Sequence, residues 1–169
     1  FSPDGQRVLT GSDDFTACIW NAQTGERLTD PLPHDGQVYQ ASFSPDGKFL
    51  VTCADDELAR VWDATTGKPM GRPLRCSVRI RRPLLTGADF RQDGRAIVTR
   101  WENSAQIWNA QTGERMGDPF EHDLPITQAT FSPNGRSVLT ASIDGTAQIW
   151  DASDPAAARV VLRPGGVVE

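Results

Sequence analysis

The chain has 169 residues, of which 38% are hydrophobic and 23% are charged, and its formal net charge is -5. This composition is typical of a globular protein rather than a disordered one, and the length is sufficient for one domain with a hydrophobic core. The acidic balance argues against a general nucleic-acid binder, which needs a basic surface. No apolar run in the sequence reaches the roughly 18 residues of a membrane-spanning helix.

A short string that ends in a turn recurs four times along the chain. It reads FSPDG, FSPDG, FRQDG and FSPNG, starting at Phe1, Phe43, Phe90 and Phe131. Each copy is followed 18 or 19 residues later by a tryptophan; these are Trp20, Trp62, Trp108 and Trp150. Self-similarity at a period of about 40 residues indicates a repeat architecture.

Each unit contains signals for short strands. The Pro-Asp-Gly or Pro-Asn-Gly turn is followed by a run rich in β-branched and apolar residues, such as residues 7–10 in the first unit. A polar turn separates this run from a second one that ends at the tryptophan, and a Thr-Gly turn follows in the first three units. Short strands without helical periodicity predict an all-β antiparallel protein.

Four strands per unit cannot bury both faces of so small a sheet, so successive units have to stack face to face. Radial stacking of twisted four-stranded sheets makes a β-propeller, in which each sheet is one blade. We therefore predict a single, partial propeller domain over residues 1–169, built of four four-stranded antiparallel blades. The predicted blades are 1–36, 37–77, 78–124 and 125–169.

The repeats resemble those of WD-repeat proteins over nearly the whole chain. The strings CIWN, RVWD, QIWN and QIWD surround the repeated tryptophans. Together with DPLxH, LTxSxD and IWDAxTG, they resemble WD arrays in large bacterial multidomain proteins, some of which carry a serine/threonine kinase domain. The resemblance implies a non-catalytic scaffold for protein–protein interaction. It leaves open a regulatory or sensory module of a larger bacterial signalling protein such as that kinase, or a propeller hydrolase.

The resemblance also implies a buried network in which histidine, threonine, aspartate and tryptophan are hydrogen-bonded within a blade. Blade two would use His34, Thr52, Asp56 and Trp62, and blade four would use His122, Thr140, Asp144 and Trp150. A buried indole N–H needs an acceptor, and a threonine hydroxyl can both accept and donate. Because the set recurs in two blades, we interpret it as structural and not as a hydrolytic site.

The other two blades match this pattern less well. Blade three has Cys76 at the histidine position, Glu102 at the aspartate position and a turn one residue shorter, so we expect an altered network there. Blade one contains Thr10, Asp14 and Trp20, and its histidine would lie before Phe1.

The sequence favours neither catalysis nor a bound metal. Asp89 is the one carboxylic acid of the three predicted inner strands, too few for paired acid–base chemistry. The chain has no phosphate-binding glycine loop with a lysine, and its two histidines lack a third ligand at a matching place. We therefore predict no enzyme activity and no cofactor. Three cysteines without a CxxC pair favour a reducing, cytoplasmic location.

Blade three alone contains a basic insertion. The histidine position lies nine residues before the inner-strand phenylalanine in blades two and four, but fourteen residues before it in blade three. The insertion falls in residues 77–83. Five arginines lie in or just before it, within the eleven positions 72–82; they are Arg72, Arg75, Arg79, Arg81 and Arg82. The shortened turn carries Trp101, the one tryptophan outside the repeat position.

Arginine and tryptophan are enriched at binding hot spots, and arginine pairs with carboxylates through two donors. We therefore predict that Arg79, Arg81, Arg82 and Trp101 form part of a surface for a protein partner, namely an acidic segment. The alternative is a solvated loop covered by Trp101.

The phase of the repeats indicates an open array. In the repeat pattern, Phe1 follows the position of the inner strand of blade one. Residues 162–169 align with residues 32–39 and therefore correspond to the start of a further unit. We expect a slice of a larger propeller whose end blades expose apolar faces and allow self-association. The alternative is a closed four-bladed ring in which Val167 and Val168 pair with blade one.

Overall fold

A computed structural model describes residues 1–75, 85–153 and 158–163 of the chain. These residues contain fifteen strands and no helix. The strands are β1 (Arg7–Gly11), β2 (Thr16–Asn21), β3 (Leu32–Pro33), β4 (Val38–Phe43), β5 (Phe49–Ala54), β6 (Leu58–Asp63), β7 (Pro69–Arg75), β8 (Leu85–Phe90), β9 (Ala96–Trp101), β10 (Ser104–Asn109), β11 (Phe120–Glu121), β12 (Ile126–Phe131), β13 (Ser137–Ser142), β14 (Ala147–Asp151) and β15 (Ala158–Leu162).

The strands form four antiparallel sheets in which neighbours in sequence are also neighbours in space. The sheets are β1–β3, β4–β7, β8–β11 and β12–β15. This confirms the all-β propeller-blade fold, and the first sheet agrees with the expectation that blade one lacks its inner strand. The first sheet has three described strands instead of four, because residues 1–5 already belong to the turn that precedes β1. The closing strand expected at Val167 and Val168 lies outside the described residues.

The repeated FSPDG string forms a turn in which the serine and aspartate side chains accept hydrogen bonds from backbone N–H groups. In the second unit the Ser44 hydroxyl accepts a hydrogen bond from the Phe49 N–H over 3.0 Å and donates to Asp46 over 2.7 Å. Asp46 also accepts from the Lys48 N–H. Gly47 has a φ of +69°, a backbone conformation that residues other than glycine rarely adopt. These hydrogen bonds therefore fix the position at which β5 begins relative to β4.

The hydrophobic core consists of three clusters, each lying between two consecutive sheets. Successive side chains of a strand point to opposite faces, so one strand serves two clusters. In β5, Leu50 packs towards the first sheet and Val51 packs towards the third. In β9, Ile97 packs towards the second sheet and Val98 towards the fourth. Every internal blade is thus buried on both faces.

Blades two and three also meet at their outer edge. The Arg72 N–H of β7 donates to the Thr112 carbonyl over 3.1 Å. Gly113 follows with a φ of +72°, and a Cβ atom there would lie 2.2 Å from the Arg72 carbonyl oxygen. The identical turn in blade one has no neighbour within 4 Å of the equivalent position at Gly25. The same turn sequence is therefore free in one blade and part of an inter-blade contact in another.

The outer faces of the first and last sheets are less well covered than those between blades. On the first sheet, Thr10 is exposed and Trp20 is half-buried, whereas the equivalent Thr52 and Trp62 of the second sheet are buried. On the last sheet, Leu139 is 36% exposed, whereas the equivalent Val51 is fully buried. Each end blade thus presents apolar side chains that are buried in an internal blade.

Candidate functional site

Blade two holds a buried network that joins strands β5 and β6 to His34, in the segment between β3 and β4. Thr52 accepts hydrogen bonds from Trp62 Nε1 over 2.8 Å and from His34 Nε2 over 2.7 Å. Arg60 NH1 lies 2.6 Å from His34 Nδ1, and a guanidinium can only donate. Nδ1 is therefore the acceptor, and the ring proton of His34 belongs on Nε2.

The Arg60 guanidinium completes this network at its outer end. It donates a hydrogen bond to the Asp56 carboxylate and lies 3.5 Å from the Asp35 carboxylate. Burial lowers the pKa of His34, the positive charge of Arg60 lowers it further, and Asp56 offsets part of both effects. Burial by itself would raise the pKa of Asp56, but hydrogen bonds from Arg60 and the Asp35 N–H bring it below its usual range. A neutral histidine therefore lies beside an ionised aspartate and an arginine.

Blade four contains the same four residue types with the opposite proton arrangement. Trp150 Nε1 donates to Thr140 over 2.8 Å, and the Thr140 hydroxyl lies 2.7 Å from His122 Nε2. His122 Nδ1 lies 3.0 Å from Asp144, a carboxylate that only accepts. Nδ1 is therefore the donor, and Nε2 accepts from Thr140. The structure brings together all four residues of each set that the WD resemblance implied.

Asp144 is held as a carboxylate by short hydrogen bonds. Its Oδ1 atom accepts from the Thr146 hydroxyl over 2.6 Å and from the Thr146 N–H over 2.8 Å. Burial acts to raise the pKa of Asp144, but the Thr146 and His122 hydrogen bonds outweigh it and lower the pKa to about 2.

Blade three keeps the tryptophan–threonine bond and differs elsewhere. Trp108 Nε1 donates to Thr99 over 2.7 Å. Glu102 has a φ of +42° in the shortened turn, and Cys76 lies outside the described residues. Gln106 is 1% exposed, and its amide nitrogen lies 3.0 Å from the carbonyls of Ile107 and Gly117. A buried amide thus occupies the position that Arg60 holds in blade two.

Blade one keeps a smaller part of the set. Trp20 Nε1 donates to Thr10 over 2.8 Å, and this bond is exposed. Asp14 accepts hydrogen bonds from the N–H and hydroxyl of Thr16 and so stabilises its own turn.

Trp101 is a core residue, which corrects its assignment to the partner surface. It is 4% exposed and lies in the cluster between the second and third sheets. Strand β9 places residues two apart on one face, so Trp101 follows Ile97 and Thr99 into this core. Arg79, Arg81 and Arg82 lie outside the described residues, whereas Arg72 and Arg75 at the end of β7 are exposed. The period-two alternation was the signal that could have placed Trp101 correctly.

Two further contacts were not predicted. The first is Arg60, which stands two residues before the blade tryptophan at a position filled by Cys18, Gln106 and Gln148 in the other blades. The second is Gln40 of β4, whose amide donates to the Ala88 carbonyl over 2.7 Å and accepts from the Ala88 N–H over 3.0 Å. Variation at one aligned position pointed to the first, and no local pattern pointed to the second.

The described residues show no cluster of three or more metal-ligating side chains and no helix able to span a membrane. Asp89, the carboxylic acid of the inner strands, accepts a hydrogen bond from Thr130 over 2.7 Å. It therefore joins the inner strands of blades three and four.

A family model described as "WD domain, G-beta repeat" matches residues 1–21, 26–63 and 116–151, which are more than half of the chain. The chain belongs to the WD40 repeat family. The unmatched residues between 63 and 116 of this WD40 protein include most of blade three, where the repeat departs from its pattern. No curated protein matches the chain.

Among solved structures, the computationally designed Ika8 protein resembles this WD40 chain with a TM-score of 0.77 and 23% sequence identity. The match covers 93% of this chain and 46% of the designed one, so the chain spans about half the length of that protein. At this level of identity the likeness supports the fold alone.

Proposed function

We propose that this WD40 chain is a non-catalytic scaffold that binds other proteins. The observation that carries the proposal is that the side chains best suited to catalysis are committed to the fold. Both histidines of the chain are buried and hydrogen-bonded to threonine on one side and to charged or polar groups on the other. WD40 repeats generally mediate protein–protein interaction, which agrees with this use of their polar residues.

The partner surface includes the basic loop of blade three, and its ligand is an acidic segment. Arg72 and Arg75 lead into this loop and are exposed, and Arg115 NH2 reaches the Arg75 carbonyl over 3.3 Å. With Arg79, Arg81 and Arg82 they concentrate positive charge on a chain whose net charge is -5. Each guanidinium can offer two parallel donors to a carboxylate.

A fluorescent peptide rich in glutamate tests this assignment by anisotropy at low and high salt. We expect binding that weakens as salt rises and is lost when Arg79, Arg81 and Arg82 are all changed to alanine. The matched control changes Arg27, Arg95 and Arg136, three arginines elsewhere in the chain, and removes the same charge. Equal loss in both triple variants, or no loss in the first, would refute the loop as the site.

A further inference from the structure

A polar cavity of about 370 Å³ lies at the outer end of the blade-four network. His122, Asp144, Thr146 and Gln148 line its inner part, and Glu121 and Asp123 contribute carboxylates at its rim. Both rim residues are exposed, so the cavity is open to solvent. Arg163 also lines it, and no ion pair joins Arg163 to a carboxylate of the described residues.

In blade two, the residues equivalent to those of the cavity bind the side chain of an arginine, Arg60. Arg60 is paired with Thr52 in the sheet register, and Gln148 is paired with Thr140 at the equivalent place in blade four. The Arg60 guanidinium contacts His34 and Asp56 and lies 3.5 Å from Asp35. Blade four repeats these partners as His122, Asp144 and Asp123 but has a shorter, neutral side chain at position 148.

We propose that the blade-four cavity binds the guanidinium group of an arginine side chain supplied by a protein partner. The guanidinium lies on the carboxylate side of the place that Arg60 fills in blade two, because Nδ1 of His122 donates to Asp144 and the Gln148 amide nitrogen already lies 3.3 Å from that ring atom. Asp144 and Asp123 accept from its two terminal nitrogens, and His122 remains hydrogen-bonded to Asp144 and Thr140.

The geometry favours arginine over lysine for this position. A guanidinium is planar and presents its donors in a fixed fork within that plane. Its two terminal nitrogens can therefore serve two carboxylates, as in blade two, where NH1 of Arg60 donates to Asp56 and NH2 lies 3.5 Å from Asp35. An ammonium group is a compact, strongly hydrated point charge and matches only one of them well. The biological partner rests on the proposed scaffold function, but the site itself is independent of the basic loop in blade three.

The test titrates the 169-residue chain with acetyl-Gly-Arg-Gly-amide and follows the backbone and side-chain amides by NMR. We expect saturable shifts at Asp123, Thr146 and Gln148. The citrulline peptide, which has nearly the same shape but no charge, should give none, and the lysine peptide should bind more weakly. Equal shifts from the arginine and citrulline peptides would overturn the proposal.

Reciprocal variants make the test specific to the cavity. Gln148→Arg rebuilds the blade-two arrangement and should abolish the shifts. Arg60→Gln empties the blade-two position and should add a second set of shifts at Asp35 and Leu58. Retention of binding in Gln148→Arg would contradict the assignment.

Two further variants show whether the chain's own arginines take part in binding. Arg163→Ala should bind the arginine peptide at least as tightly as the parent chain does. If binding is seen only in Arg163→Ala, the chain's own arginine is the occupant and the proposal is wrong. The triple change of Arg79, Arg81 and Arg82 should leave binding of the arginine peptide unchanged. The proposed arginine site in blade four and the proposed acidic-peptide site in blade three are therefore tested independently.

Discussion

The two histidine networks carry their ring protons on opposite nitrogen atoms because different side chains face the rings. Arg60 donates to Nδ1 of His34, whereas Asp144 accepts from Nδ1 of His122. Thr52 and Thr140 adapt because a hydroxyl can rotate and either donate to or accept from the ring. One repeat sequence therefore supports two proton arrangements, decided by the residue two positions before the tryptophan.

Removing the threonine hydroxyl should be costly only where it is buried. Thr52→Val leaves the N–H groups of His34 and Trp62 without their acceptor, and Thr52 is fully buried. We expect the free energy of unfolding to fall by about 2–4 kcal/mol, since a buried donor left unpaired costs about 1–3 kcal/mol. Thr10→Val is the control, because that position is exposed and water can replace the hydroxyl. Urea unfolding measures both, and equal losses would contradict this account.

His34 should make the protein less stable as the pH falls below about 6.5, the ordinary histidine pKa. Burial and Arg60 lower the pKa of folded His34, so the unfolded chain takes up a proton first as the pH falls. Its contribution is therefore present above about pH 6.5 and is lost as the pH falls towards the folded pKa. Urea unfolding at pH 7.5 and 5.5 should show a larger loss for the parent than for His34→Gln. Parallel losses would count against it.

At the scale of elements, Gln40 joins the inner strands of blades two and three by bonding to both backbone groups of Ala88. Gln40→Met keeps the side-chain length but leaves that N–H and carbonyl unpaired, and Ala88 is 2% exposed. We expect a loss of about 2–3 kcal/mol and faster hydrogen exchange at the Ala88 amide. Gln128 is the equivalent residue of blade four and is exposed, so Gln128→Met should change stability by less than about 0.5 kcal/mol. Similar effects of the two changes would argue against this role for Gln40.

The strands and the turns that join them could be predicted because their signals are local. A Ser-Pro-Asp-Gly turn and period-two alternation act within a few residues. The roles of Arg60 and Gln40 could not be predicted, because they bind residues 26 and 48 positions away, in register with strands that only the folded sheets bring together. The prediction for Trp101 was wrong because it rested on the shortened turn and on the enrichment of tryptophan at binding sites, whereas the position of Trp101 in β9 decides its face.

At the scale of the whole molecule, the outer faces of the end blades should make the chain associate. Leu139 and Ile149 face outwards on the last sheet, and the equivalent Val51 and Val61 are buried between blades two and three. Light scattering should give a mass above the 18.5 kDa of one chain that rises with concentration. Leu139→Lys should reduce association, because it places a charge on the apolar face.

The control for this change is Leu124→Lys, at a leucine that is 46% exposed in the turn between β11 and β12, outside the strands of the last sheet. It should leave association as it is in the parent chain. A constant mass of 18.5 kDa at all concentrations would show that the end faces do not associate.

Each hydrophobic cluster of the described residues has two walls, and these walls always come from consecutive sheets. If one blade is copied or deleted, every remaining cluster can still form from a preceding and a following wall. Residues 21–27 and 109–115 are identical in amino-acid sequence, and such matched segments mark boundaries between which blades could be added or lost. A protein organised around one central core has no comparable freedom, since removal of any segment opens that core. In this architecture, evolution can therefore change the length of the protein in whole blades while the binding surfaces of the other blades diverge.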